Sequence, residues 1–415
     1  MEHQPRTAVR LTDESEIYAR VTSYEAAAIV RTERAGRLTV RPIYLDHHAT
    51  TPVDPRVADL VYRVMTEAFG NPNSADHAFG GEASRLLRSA ASQVGSLVGA
   101  LSEDVHFTTG STEAIAVAVA CALSSCKGRP LRVAASRIEH AAVLDVLALA
   151  ASNGEIVVTW IEVDEAARIS LAALRAALTA SPDLVCVMAA NNEVGTIQPV
   201  ADLTRLAHAA GAEVLVDATQ AAGRLPIEAR NWGVDYLVLS SHKLYGPKGA
   251  GALVSPRASE APKPPLFEGR RGTPNTPGLA GFGEACRIRA SEMEADETRI
   301  AGLRDRLEAT LTSLVPDTVV NGDRDNRLAG NLHISARGAP NDMVVAHLRE
   351  TVAISTGAAC ASGADAPSHV LRAMDLEHWR QDTALRIGLG RFNTADEIDF
   401  AASAIADAIR NVRAF

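Results

Sequence analysis

Three segments of this chain are apolar almost throughout instead of at every second position: LVCVMAA (184–190), EVLVD (213–217) and YLVLS (236–240). A strand with one face in water alternates polar and apolar residues, so a strand without alternation has both faces covered. Similar short runs precede longer helical stretches. VHFTT (105–109) leads into a helix from about 112 to 126, RVAAS (132–136) into one over 140–152, and EIVVTWI (155–161) into one opened by Ser170. Strands and helices taking turns in this way predict an α/β fold with a mostly parallel sheet between helical layers. Ligands of such sheets collect at the carboxyl ends of the strands. The residues just after each run are therefore the first place to look for chemistry.

The chain has 415 residues, more than one core usually serves. The expected division is an extension over 1–42, a large domain over 57–293, and a smaller α/β domain made of 43–56 with 294–415. The extension is mixed in charge, with one expected helix near 14–31. Asp54-Pro55 is a good helix start, an N-cap followed by proline, and that helix should end near Gly70. A second helix is expected over 80–98. The tail reads as a charged helix (292–314), strand NLHIS (331–335), helix 340–350, strand RIGLG (386–390) and a last helix over 395–413. APKPP (261–265) and GRRGTPNTPG (269–278) read as exposed loops.

Composition narrows the function. Lys and Arg number 41 against 50 Asp and Glu, a net charge of −9, which opposes direct binding to nucleic acid. No run of 18 apolar residues suggests a membrane span, and the first residues show no apolar signal core. The five cysteines, at 121, 126, 186, 286 and 360, are odd in number and widely spaced. They lack the companion ligands of a zinc site, so no metal is expected, and free thiols suit a reducing cytoplasm.

Several motifs fall at the expected strand ends. SSHKLYGPKGAG (240–251) follows an apolar run, and Lys243 within it could form a Schiff base with an aldehyde cofactor. A surface lysine on a polar loop would look the same. Asp217, in VDATQ (216–220), ends its strand, where a carboxylate can pair with a protonated pyridine nitrogen, or can merely begin a turn. TTGSTEA (108–114) is a glycine-containing turn into a helix, whose N–H groups, with the hydroxyls of Ser111 and Thr112, suit a phosphate. His140 in EHAAVLD and Asn192 in NNEVGT are each ordinary when taken alone.

Taken in order, these motifs resemble the fold-type I pyridoxal-phosphate (PLP) enzymes of the class V aminotransferase group, and within it the NifS/IscS cysteine desulfurases. The resemblance covers about 43–413. Beyond the motifs above, it is carried by YLDHHATTPVDPRV (44–57), FGNPNSADH (69–77), NNEVGTIQPV (191–200), VDATQAAGRLPI (216–227), RRGTPN (270–275), STGAACASGADAPSHVLRAM (355–374) and RIGLGRFNTADEID (386–399). It implies a fold-type I PLP-dependent transferase with a seven-stranded, mostly parallel sheet.

The resemblance also implies roles. Lys243 would carry the cofactor and move the substrate α-proton. Asp217 would hold the pyridine N–H, His140 would stack on the ring, and Gln220 would meet its phenolic oxygen. Ser111, Thr112, Ser240 and His242 would bind the phosphate, joined by Thr273 from the other subunit of a homodimer. Asn192 and Arg386 would grip the carboxylate of L-cysteine. Cys360, among small residues between Ser355 and Gly363, would take the sulfur as a persulfide and pass it to an acceptor protein. Its loop resembles the long form of the IscS-like group.

The chain departs from the family pattern in three places. The segment before Arg270 is shorter, Ala114-Ile115-Ala116 follows Glu113 where Ser-Asn-Asn is usual, and the end after Phe392 is short. With the extension over 1–42, these departures imply a specialised sulfur donor. A selenocysteine or C–S lyase of the same fold is the nearest alternative, and a non-catalytic interaction protein a more distant one.

Overall fold

The computed structural model describes residues 31–34, 37–126, 128–256, 272–356 and 368–414. The helix expected near 14–31 lies outside them except for Arg31. That residue opens β1 (Arg31–Arg34), which pairs antiparallel with β2 (Arg37–Val40).

The rest follows in chain order: β3 (Ile43–Tyr44), α1 (Pro55–Thr66), α2 (Ala78–Leu97), β4 (Val105–Thr108), α3 (Ser111–Ser125), β5 (Leu131–Ser136), α4 (Ala141–Ser152) and β6 (Ile156–Ile161). Next come α5 (Leu171–Leu178), β7 (Leu184–Met188), α6 (Val200–Ala209), β8 (Glu213–Asp217), α7 (Ala229–Trp232), β9 (Tyr236–Ser240), β10 (Gly251–Val254) and α8 (Thr276–Leu314). The chain continues through β11 (Thr318–Val320), β12 (Asn331–Ala336), α9 (Asn341–Leu348), β13 (Val352–Ala353), α10 (His369–Ala373), α11 (His378–Asp382), β14 (Ala384–Gly388) and α12 (Ala395–Arg413).

A seven-stranded sheet runs in the order β4-β10-β9-β8-β7-β5-β6. All its strands are parallel except β10, which lies antiparallel to β4 and β9. Its core explains the unbroken apolar runs. Val185, Val187, Val214, Val216, Leu237 and Leu239 face one layer, with Val94, Leu203 and Phe282. The intervening Leu184, Cys186, Leu215, Tyr236 and Val238 face the other, with Ile115, Val119, Val143 and Leu147. Successive side chains point to opposite faces, and each face has its own helices. The fold is therefore of the expected α/β class. A second core forms around β12 and β14, where α12 supplies Ile398, Ile405 and Ile409 and α8 supplies Leu307 and Leu311.

Helix α8 begins at Thr276, well before the expected 292, and runs unbroken for 39 residues. Its first residues, TPG (276–278), read as the end of a loop, yet the glycines that follow serve packing. A Cβ at Gly283 would meet the Ala90 Cα at 2.5 Å, so glycine there lets α8 lie against α2. Residues 276–278 thus belong to a helix and not to the loop expected over 269–278. The last strand spans 384–388, not 386–390, which sets Arg386 at its centre. Strand β10 was not anticipated, because GALV follows directly on a glycine-rich loop.

Candidate active site

Because β4 to β9 all run one way, their carboxyl ends share one edge of the sheet. Ser111, His140, Asn192, Asp217 and Ser240 to Lys243 all follow at that edge. Strands β5 and β7 are neighbours, yet the chain leaves β5 toward β6 and β7 toward β8. His140 and Asn192 therefore emerge at a topological switch point, where ligands of such sheets bind.

The α3 end offers an anion cradle. Gly110 is its N-cap and no side chain caps it, so the first N–H groups of α3 are left to a ligand. Ser111 and Thr112 occupy the first two helical positions. Gly251 pairs across to both Thr108 and Ser240, and a Cβ on it would meet the Gly110 Cα at 2.6 Å. That close approach sets the buried Ser240 beside the cradle. His242 is half-buried, and its Nδ1 lies 3.0 Å from the Thr50 hydroxyl. Burial lowers its pKa to about 4, which leaves the ring neutral.

Asp217 is 6% exposed at the end of β8. Its Oδ1 accepts the Thr219 N–H at 2.9 Å, and the buried Thr219 hydroxyl next to it has no partner. His140 caps α4 and stands just ahead of it, the helix starting one residue later than the expected 140. Its Nδ1 accepts the Ala142 N–H at 3.1 Å, so that nitrogen is unprotonated. Burial lowers the ring's pKa further, against the pull of Asp217. Glu139 beneath it is 1% exposed. Its Oε1 takes the Ser136 hydroxyl at 2.5 Å and the Met188 N–H at 2.8 Å, tying the ends of β5 and β7 together. Burial pushes its pKa up to about 8.

Lys243 is held by a strap of residues, 46–54, laid across the sheet edge. The strap is fastened on one side to β14, where the His47 N–H donates to the Gly388 carbonyl at 3.1 Å. On the other side the Thr51 N–H donates to the His242 carbonyl at 2.9 Å. Lys243 Nζ donates to the His48 and Ala49 carbonyls at 2.5 and 2.8 Å. Gln220 turns toward the same strap. Its Nε2 donates to the His48 carbonyl at 2.9 Å, leaving one amide hydrogen for a ligand, and its Oε1 accepts from Arg224 at 2.7 Å.

Arg386 and Asn192 are brought together: Nη1 of Arg386 reaches the Asn192 carbonyl at 3.4 Å. Arg386 is 2% exposed, its Nη2 is paired with Asp46 at 2.9 Å, and its Nε is buried without a partner. Thr273 is exposed just ahead of α8. Cys360 lies outside the described residues. The other four cysteines are free. Burial raises the thiol pKa of Cys121 to about 11 and lifts those of Cys186 and Cys286. Cys126 caps the far end of α3, ~20 Å from the cradle at 1.5 Å per residue.

Sequence reasoning assigned no part to Asp46, His48, Glu139, Thr219 or Arg224. Asp46 and His48 stand in the YLDHHATT stretch and Arg224 in VDATQAAGR, both already matched to the family. Their partners are remote in the chain, so only the fold joins them.

Residues 43–400 match the family Aminotransferase class-V. The chain belongs to it. A cysteine desulfurase IscS of Anaeromyxobacter sp. (strain Fw109-5) is 37% identical over 379 residues, 90% of this chain and 93% of that protein. A solved NifS-like protein superposes with a TM-score of 0.81 at 30% identity, over 89% of this chain and all of that one. The structure of SspA in complex with cysteine gives a TM-score of 0.73 at 27% identity, over 85% of this chain and 100% of that one. These likenesses set the chain among the cysteine desulfurases, which are PLP-dependent enzymes. The residues present fit that cofactor: an uncapped helix start for its phosphate, a buried carboxylate for its ring nitrogen, a neutral histidine ahead of α4, and a lysine at the strand edge. No described helix is long and apolar enough to cross a membrane.

Proposed function

We infer that this enzyme removes sulfur from L-cysteine, releases L-alanine and carries the sulfur as a persulfide on Cys360. The observation that supports this best is the meeting of Lys243, Asp217, His140 and Arg386 at one sheet edge in a chain of the cysteine desulfurase family. PLP would be held by Ser111, Thr112, Ser240 and His242 at its phosphate, with Thr273 from a second subunit. Asp217 would hold its ring N–H, His140 its face, Gln220 its phenolic oxygen and Lys243 its aldehyde carbon. When bound, the group supplies an aldehyde for amines and a ring that withdraws electrons from the substrate α-carbon.

The chain's own residues do the rest. Arg386 and Asn192 fix the substrate carboxylate, a task suited to a fork-shaped guanidinium. The Lys243 amine, once released, takes the α-proton, and the carbonyls of His48 and Ala49 stand ready to receive the resulting ammonium. The Cys360 thiolate forms a bond to the substrate sulfur as the carbon–sulfur bond breaks. The electron pair stays with the substrate carbon, which is protonated to become the methyl group of alanine. The persulfide then passes to a partner thiol, and an acceptor protein is the natural recipient.

A homodimer completes the site. Tyr62, Met65, Phe69 and Phe79 on and between α1 and α2 are all more than half exposed, and Phe69 stacks on Phe79 at 5.5 Å. An apolar patch of this kind fits a subunit interface. Free cysteines fit a reducing compartment, here the cytoplasm. Incubating the purified protein with L-cysteine tests the reading. One alanine per sulfur and a persulfide mapped to Cys360 are expected, whereas free sulfide with no protein persulfide would identify a lyase.

A further inference from the structure

Arg224 follows β8 and is 8% exposed. A buried guanidinium normally faces a carboxylate, but no carboxylate lies within ion-pair reach of this one among the described residues. The nearby Glu297 is taken by Arg289 at 2.7 Å. Every partner of Arg224 is neutral. Nη1 donates to Gln220 Oε1 at 2.7 Å and to His48 Nδ1 at 3.0 Å. Nη2 donates to the His47 carbonyl at 2.9 Å and the Lys243 carbonyl at 3.2 Å.

These bonds bracket Lys243. The strap gives its His47 carbonyl to Arg224 and its next carbonyl, of His48, to Lys243 Nζ. One buried cation without a direct ion pair thus fixes the acceptors of the amine, the backbone of the lysine itself and the amide of Gln220. We propose that Arg224 is the positioning residue for Lys243: it holds the strap and the lysine in register, and its unpaired charge disfavours a second positive charge on the amine.

The surroundings agree with such a field. Arg224 itself is driven toward its neutral form by burial. Burial first and the Arg224 charge second depress protonation of His47 and His48. His242 is lowered by burial and then by Lys243, with Arg224 adding to it. The groups near Lys243 include three neutral histidines, His48, His140 and His242, and Asp217 as an anion at the end of β8. Two carbonyl acceptors favour an ammonium at Lys243, and Arg224 opposes it. At the effective dielectric of a protein interior, one cation nearby shifts a titration by about one pH unit.

The inference rests on Lys243 carrying the cofactor, so borohydride reduction and peptide mapping come first. Attachment to another lysine would overturn the functional reading itself. With attachment at Lys243 established, the cofactor absorbance of the loaded enzyme is titrated against pH in the parent, Arg224→Lys and Arg224→Gln. The expected result is a midpoint raised by about one pH unit in Arg224→Gln and kept near the parent value in Arg224→Lys. A folded, loaded Arg224→Gln protein with the parent midpoint would overturn the proposal while leaving the function intact. The parent midpoint is a separate check: it must lie below that of the same cofactor joined to a lysine amine free in solution, titrated alongside. A parent band titrating at or above that value overturns the proposal even if Arg224→Gln does not fold.

Discussion

Asp46 Oδ1 faces Arg386 Nη2 at 2.9 Å, joining the strap to the centre of β14. One arm of the guanidinium fork is thereby committed before any substrate arrives. Asp46 aims the fork, and the buried, partnerless Nε marks the side left for a ligand. Replacing Arg386 by Lys removes the planar fork but keeps the charge. KM for L-cysteine is expected to rise roughly 10- to 100-fold, with a smaller change in kcat, because carboxylate binding is lost more than chemistry. Asp46→Asn should raise KM by less. Steady-state alanine production measures both, and an unchanged KM in Arg386→Lys would remove this residue from the substrate site.

Glu139 gives the enzyme a pH-dependent stability. Its folded pKa is raised from 4.5 to about 8, with burial the largest cause. Below about pH 4.5 the folded and unfolded chains both hold this proton. Between that value and about 8 the unfolded chain releases the proton while the folded one keeps it, so the group's contribution falls as pH rises. Glu139→Gln cannot titrate and keeps an oxygen for the Ser136 hydroxyl and the Met188 N–H. The melting temperature of the parent should therefore lose ground to the variant between pH 5 and pH 8. Thermal melts at the two pH values decide it, and a constant gap would mean that Glu139 is ionised throughout.

How far the sequence reaches depends on what each residue answers to. Strands β7, β8 and β9 could be read directly, because burial on both faces leaves a pattern in consecutive residues. The cradle at Gly110-Ser111, Asp217 and Lys243 were legible as a family pattern at the strand ends. The start of α8 was not, since glycines that let helices approach closely look like glycines of a loop. Arg224 and His48 were silent for another reason. Their meaning lies in carbonyl and ring partners brought over by the strap, and nothing in neighbouring residues encodes that contact.

The apolar patch over α1 and α2 predicts the oligomeric state. Phe79→Asp places a charge on the exposed stack with Phe69 without touching the sheet edge. Sedimentation should show the parent as a dimer and the variant shifted toward monomer. Activity should fall with the dimer, because Thr273 would serve the site of the second subunit. A monomeric variant that turns over cysteine at the parent rate would place the whole site within one chain.

Cys360→Ala separates binding from sulfur abstraction. In the proposed site, cofactor attachment would fall to Lys243, the electron sink to Asp217, the ring face to His140 and the carboxylate to Arg386, and the substitution touches none of these. The variant should keep the cofactor absorbance and still show the spectral change that accompanies cysteine binding. Alanine formation should drop by orders of magnitude, because no other described thiol can replace the nucleophile. Burial holds Cys121, Cys186 and Cys286 protonated, and Cys126 sits at the far end of α3 from the cradle. Single alanine variants at those four positions should leave turnover near the parent value. If Cys360→Ala makes alanine at the parent rate, sulfur leaves without a protein thiol, and the enzyme is a lyase built on the same site.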